Sequence, residues 1–263
     1  MPEGPEVKTI TDWLCKNFTL CKIVNNSKFI DINAGTINKI HCKGKQIFFC
    51  ITNATGEKVY LNSRLALMGK WSLTEGNHTR FWMKLQKSTC SEELMLYNDD
   101  TMNFGDIELH SEEKYQDKLT KIGPDLLSDD IDISLWIKKI KNGRIKNKMI
   151  YDYLTEQKYF SGIGNYLKSE ILYRSKILPT RTLCSLSDVE ISELYKVSIA
   201  TIKESYSYGG LTIKTYWSPE GTRGTFPIKV YQKDKDENGF KVISSKIGGP
   251  KDQTTFWVPE IQK

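Results

Sequence analysis

Gln157-Lys158-Tyr159-Phe160-Ser161-Gly162-Ile163-Gly164-Asn165-Tyr166-Leu167-Lys168-Ser169-Glu170-Ile171-Leu172-Tyr173-Arg174 is the stretch on which the fold turns. One helix ends, a Gly-x-Gly turn follows, and an amphipathic helix over 166–175 begins. Glycines let a backbone approach a partner closely, and amides at a helix N-terminus beside Asn165 suit a phosphate. Alone, a Gly-Ile-Gly turn reads first as a connector between two helices.

Working outward, helical spacing recurs on both sides, over Ile133–Asn142, Ile145–Tyr153 and Asp188–Ser205. The first 110 residues differ. An amphipathic helix over 5–18 is carried by Val7, Ile10, Leu14 and Phe18. Short runs rich in branched and aromatic residues then follow at Lys22–Ile32, Gln46–Thr52, Val59–Asn62, Trp71–Leu73, Phe81–Leu85 and Leu94–Asn98. Polar turns such as Asn53-Ala54-Thr55-Gly56 separate them, which suggests a β-sandwich or a barrel. Residues 111–123 read as a linker ending at Gly123-Pro124, and 124–213 as a helical domain. Residues 214–263 read as a β appendage, with turns at Pro219-Glu220-Gly221 and Gly248-Gly249-Pro250. The expected class is α+β and multidomain.

Composition sets bounds. The chain has 263 residues, 39% hydrophobic and 27% charged, ordinary for one large or two modest globular domains. No apolar run spans a membrane and no secretory leader opens the chain, so an intracellular protein is expected. The six cysteines are scattered without a Cys-x-x-Cys pair, and His41, His78 and His110 stand apart, so no metal site is expected. The net charge of +6 suits a polyanionic partner without selecting one.

The N-terminus, Met1-Pro2-Glu3-Gly4-Pro5-Glu6-Val7, carries the chemistry. Methionine is commonly cleaved before a residue as small as proline, which would leave Pro2 with a free secondary amine. An α-amino group has an unperturbed pKa of about 7.7–8.0, so part of it is unprotonated and nucleophilic at neutral pH. Such an amine attacks an electrophilic sugar carbon without a cofactor. Glu3 and Glu6 are close enough in sequence to face it if a helix starts here. The same residues also read as a plain helix start, with early proline and acids in the first turn.

The opening Pro-Glu-Gly-Pro-Glu and the run Gly162–Arg174 together resemble the formamidopyrimidine-DNA glycosylase/endonuclease VIII (Fpg/Nei) family, in particular the eukaryotic Nei-like enzymes of the first type. Gly123-Pro124-Asp125-Leu126-Leu127 matches the start of that family's helical domain. The resemblance implies a β-sandwich domain over 1–110, a helix–two-turns–helix domain over 124–213 and a finger over 214–263. It implies a bifunctional DNA glycosylase/AP lyase that removes oxidised pyrimidines and ring-opened purines from damaged double-stranded DNA. Such an enzyme needs no cofactor, acts as a monomer, and works in the nucleus or cytoplasm.

By position, the resemblance makes Pro2 the nucleophile at C1′, Glu3 the acid/base and Glu6 a supporting carboxylate. Lys45, in Lys43-Gly44-Lys45, would contact phosphate near the reacting sugar, and Gly164 and Asn165 would hold the backbone beside the lesion. Leu67 falls where the family carries an intercalating methionine. Asp100-Thr101-Met102-Asn103-Phe104-Gly105 falls on an Asp-x-Arg-Arg-Phe-Gly loop, so Asn103 and Phe104 would fill the gap left by a flipped base. The missing arginines imply a relaxed opposite-base preference. The appendage resembles a zincless finger, with Gln253 where the family places a phosphate-clamping arginine. Glutamine lacks both the charge and the forked geometry. This keeps open a second reading, an attenuated damaged-DNA-binding module with lyase but weak glycosylase activity. A third is a nucleic-acid-binding protein unrelated to repair.

Overall fold

A computed structural model describes residues 2–27, 30–87, 91–212, 219–247 and 253–263. The chain divides into two compact units, Met1–Lys121 with Tyr208–Thr225, and Ile122–Ser207 with Phe226–Lys263. The contiguous boundaries read from the sequence differ from this division, because residues 208–225 return to pair with the first unit. Cys90, Trp217 and the expected turn at Gly248-Gly249-Pro250 lie outside the described residues.

In the first unit, α1 (Gly4–Phe18) buries Val7, Ile10, Leu14 and Phe18, whose spacing of three and four places them on one stripe. Eight strands follow: β1 (Lys22–Asn26), β2 (Thr36–Lys43), β3 (Gln46–Thr52), β4 (Lys58–Arg64), β5 (Lys70–Ser72), β6 (Thr79–Gln86), β7 (Glu93–Asp99) and β8 (Asp106–Ser111). They form one antiparallel sheet in the order β5-β7-β6-β1-β2-β3-β4-β8. In a flat sheet β5 and β3 would lie about 24 Å apart, five steps of about 4.8 Å. Their Trp71 and Phe49 rings instead pack with centroids 5.1 Å apart. Trp71 Nε1 also donates to Ser63 Oγ on β4 at 3.2 Å. The sheet is therefore rolled onto itself around an apolar interior, the sandwich form of the two alternatives.

Several features differ from the sequence reading, among them β8, which the pattern did not show. β2 is a strand that the pattern did not show. A bulge between Ile37 and Lys39 lets both Ile37 and Ile40 face the core, three residues apart, which breaks the two-residue alternation. The expected linker over 111–123 is mostly a helix, α2 (Glu112–Lys121). It docks by one aromatic residue, Tyr115, stacked on Tyr60 of β4 with centroids 3.8 Å apart. The Tyr115 hydroxyl lies 2.9 Å from His41 Nε2.

The second unit holds α3 (Ile133–Ile140), α4 (Ile150–Thr155), α5 (Asn165–Arg174) and α6 (Asp188–Ser207). Asp132 caps α3 by accepting the Ser134 N–H at 2.9 Å. Helix α4 starts later than Ile145, because Asn142 caps a separate 3-10 turn over Gly143–Ile145. Trp136 of α3 packs on Phe160, centroids 4.4 Å apart, and both side chains are buried. Helix α5 was expected to be amphipathic; its residues Tyr166 to Tyr173 are instead all buried. Its polar side chains must therefore find partners inside the protein. Glu170 does so by accepting the N–H groups of Lys229, Val230 and Tyr231 at 2.8, 2.9 and 2.9 Å. The hairpin pairs β9 (Ile243–Lys246) with β10 (Thr254–Trp257). Val242 and Val258 pack with Tyr173 of α5 and Val230 beneath it.

The His41 imidazole gives a pH signature to the docking of α2. Burial, aided by the Lys39 charge, pushes its pKa down from 6.5 to about 4. The folded protein then holds a neutral ring while the unfolded chain takes up a proton below about 6.5. This contribution to stability is complete above that pH and is lost as pH falls toward 4. In urea unfolding followed from pH 7 to pH 5, His41→Gln should lose less stability than the parent chain. Parallel losses would contradict the assignment.

Candidate active site

The N-terminal motif is folded into a buried corner of the first unit. Pro2 is buried and directly precedes Glu3, the N-cap of α1. Glu3 and Glu6 are 2% and 1% exposed. The Glu3 N–H donates to Glu6 Oε2 at 2.7 Å, one half of a capping box between them. The other oxygen of Glu6 accepts the Leu211 N–H at 2.6 Å. Glu6 thus binds the entrance of α1 and a segment 205 residues further along with a single carboxylate.

That segment is shaped for the task. Gly209 and Gly210 have φ of 71° and 83°, the left-handed region that side chains rarely adopt. A Cβ on Gly210 would lie 2.2 Å from Glu6 Oε1, so only glycine lets the carboxylate approach. Thr212 N–H donates to Gly224 O at 3.1 Å and Thr225 N–H to Tyr208 O at 3.0 Å, closing the base of a loop. Residues 213–218 lie outside the described residues.

At one end of the sheet, three loops come together. Gly44 and Lys45 form the two-residue turn joining β2 and β3, with Gly44 at φ 59°. The β3–β4 register pairs Ile47 with Ser63, so Lys45, half-buried, lies where the chain leaves β4. The β4–β8 register pairs Arg64 with Asp106, which brings the 100–105 loop to the same end. Leu67 is 42% exposed and Phe104 53% exposed. Asn103, at φ 56°, is exposed between Met102 and Phe104. The buried Asp100 carboxylate braces this loop, accepting the Gly105 N–H at 2.6 Å and the Met102 N–H at 3.2 Å. Two exposed apolar tips on braced loops have the form of wedges.

The second unit gathers Gly164, Asn165 and Gln253. Gly164 is the N-cap of α5 and Asn165 its first residue. Asn165 Nδ2 donates to Thr254 O at 2.9 Å, the residue after Gln253. Lys168, 1% exposed, donates to Asn165 Oδ1 and to Thr255 Oγ1, both at 2.8 Å.

The structure thus groups Pro2, Glu3 and Glu6 at the start of α1. It groups Lys45, Leu67, Asn103 and Phe104 at the sheet end, and Gly164, Asn165 and Gln253 in the second unit. Sequence reasoning missed Leu211, Asp100 and Lys168. For Leu211 the signal was the adjacent Gly209 and Gly210 after a long helix. For Lys168 there was none, because a lysine in a helix reads as surface. Among the described residues, no group of three or more His, Cys, Asp or Glu could hold a metal ion.

Comparison with known proteins bears on each part. Residues 122–216 match the formamidopyrimidine-DNA glycosylase H2TH domain, and 220–263 match the formamidopyrimidine-DNA glycosylase C-terminal domain. A formamidopyrimidine-DNA glycosylase from Exiguobacterium sp. is 28% identical, with 100% of both chains covered. The wild-type Lactococcus lactis FPG (MutM), solved with an oxidised pyrimidine containing DNA, superposes with a TM-score of 0.84 at 25% identity, covering 100% of each chain. A mutant of the Lactococcus lactis enzyme in complex with a Fapy-dG containing DNA gives 0.84 at 26%, again over 100% of each. With sandwich, helical unit and terminal hairpin all accounted for along one continuous alignment, the chain belongs to the formamidopyrimidine-DNA glycosylase (Fpg/MutM) family.

Proposed function

We propose that this chain is a DNA glycosylase and AP lyase of base excision repair that works through the N-terminal amine of Pro2. The observation that carries the reading is the burial of Pro2 directly before the buried Glu3, itself bonded to the buried Glu6, in a chain of this family. Related enzymes solved with an oxidised pyrimidine containing DNA and a Fapy-dG containing DNA support oxidised pyrimidines and ring-opened purines as substrates. The nucleus or cytoplasm, where DNA lies, is the proposed site of action, with a monomer as the working form. The lack of any cysteine after Cys184 and the hairpin packed on α5 support a closer likeness to Nei-like enzymes with a zincless finger.

The reaction follows from the residues. The Pro2 lone pair attacks C1′, the C1′–N bond breaks, and the base leaves with a proton. Glu3 protonates O4′ as the C1′–O4′ bond breaks, and ring opening leaves an iminium between Pro2 and C1′. The iminium acidifies the C2′ proton, Glu3 removes it, and the 3′ phosphate departs as the C3′–O bond breaks. Loss of the C4′ proton expels the 5′ phosphate in the same way, and water hydrolyses the imine to free Pro2. Glu6 holds Glu3 and the 208–212 segment in register. Lys45, Gly164, Asn165 and Gln253 bind phosphates, which positions the DNA without reading its sequence. Leu67, Asn103 and Phe104 occupy the space of the extruded nucleotide.

Gln253 favours the second reading, a damage-binding module with lyase but weak glycosylase activity. The two separate on one gel. A chain cutting both an oxidised-pyrimidine duplex and an abasic duplex supports the first reading, and one cutting only the abasic duplex supports the second.

Three outcomes are expected. Strand cleavage of an abasic duplex should fall about 100-fold or more in Glu3→Gln and vanish when residues are added before Pro2; undiminished cutting by the extended chain would exclude a terminal amine. Gln253→Arg should raise affinity for damaged duplex on the order of tenfold, the gain of a charge-assisted bond, and equal turnover of the two forms would sink that idea. Leu67→Ala with Phe104→Ala should slow cleavage of duplex about tenfold more than that of single strands; equal slowing would remove the wedge role.

A further inference from the structure

The buried lysine of α5 is not explained by the roles above. Lysine is among the side chains least often buried, yet Lys168 is 1% exposed. Its ammonium donates to Asn165 Oδ1 and Thr255 Oγ1, both at 2.8 Å, and lies 5.7 Å from the centroid of the Tyr151 ring. An ammonium only donates and a backbone carbonyl only accepts. The Asn165 amide therefore has one permitted orientation, with Oδ1 toward Lys168 and Nδ2 toward Thr254 O at 2.9 Å. Nδ2 carries two hydrogens, and Thr254 takes one. A cation bonded to the amide oxygen also strengthens the N–H groups opposite it.

We propose that Lys168 is the positioning cation of the phosphate grip: it orients the Asn165 amide and supplies, from behind it, the positive charge that Gln253 lacks. The inference rests on the DNA-binding reading above. A purely mechanical role, tying β10 to α5 through Thr255, is the alternative, and salt dependence tells the two apart. A group that neutralises a phosphate changes the salt slope of binding, whereas a tie changes stability.

The experiment measures affinity for a duplex carrying an abasic-site analogue across a potassium chloride series, with melting temperatures alongside. Lys168→Met should bind on the order of tenfold more weakly and lose about 0.9 from the slope of log K against log salt. Lys168→Arg should keep the slope, and Lys168→Met combined with Gln253→Arg should recover it. An unchanged slope in Lys168→Met with a lowered melting temperature would overturn the proposal in favour of the tie. If Lys168→Met does not fold, Lys168→Gln, which keeps hydrogen-bonding atoms at the site but no charge, is compared with the parent chain. A slope lower by about 0.9 supports the proposal and equal slopes overturn it. Wild-type protein that binds no such duplex would instead remove the functional reading, and this inference with it.

Discussion

The Glu6 carboxylate is the interaction on which the local fold around the N-terminal motif depends. Its two oxygens accept the Glu3 N–H at 2.7 Å and the Leu211 N–H at 2.6 Å while the side chain is 1% exposed. A buried carboxylate is tolerated only where such donors surround it. Removing it would leave the buried Glu3 N–H and the partly buried Leu211 N–H unsatisfied, the first at a cost of about 1–3 kcal/mol. One side chain therefore fixes both the first residues of α1 and the base of the loop beginning at Tyr208. The glycine at 210 follows from the same contact, because a Cβ there would occupy the carboxylate's place.

The second unit repeats the device in other places. Glu170 holds the 229–231 turn through three backbone N–H groups, and Asp236 accepts the Tyr173 hydroxyl at 2.9 Å and the Phe240 N–H at 2.8 Å. Asn165 and Lys168 then tie the N-terminus of α5 to β10. Charged side chains bonded to backbone, set over a small apolar cluster of Val230, Val242 and Val258, fasten the C-terminal segment to α5. A helix buried from Tyr166 to Tyr173 thus carries Asn165 at its first turn.

How much of this was legible follows from the range of each signal. Helix α1 and the Gly162–Arg174 turn were readable because periodicity and glycine placement are local. Strand β3 was readable end to end, whereas β2 was hidden by its bulge and its outward Lys39, His41 and Lys43. Helix α2 was taken for a connector because it is mostly polar and docks by Tyr115, whose partner Tyr60 is 55 residues away. In the site, residue types announced Pro2, Glu3 and Glu6. The long-range partners of Glu6, Asn165 and Lys168, namely Leu211, Thr254 and Thr255, lie 87 to 205 residues distant, and no spacing rule encodes such pairs.

The central claim is that the nucleophile is the amine of Pro2. Borohydride reduction of the protein with an abasic oligonucleotide, followed by proteolysis and mass spectrometry, locates the covalent sugar directly. The account predicts one adduct, on the peptide that begins at Pro2. An adduct on a lysine such as Lys45 in its place, or strand cleavage with no adduct at all, would contradict it.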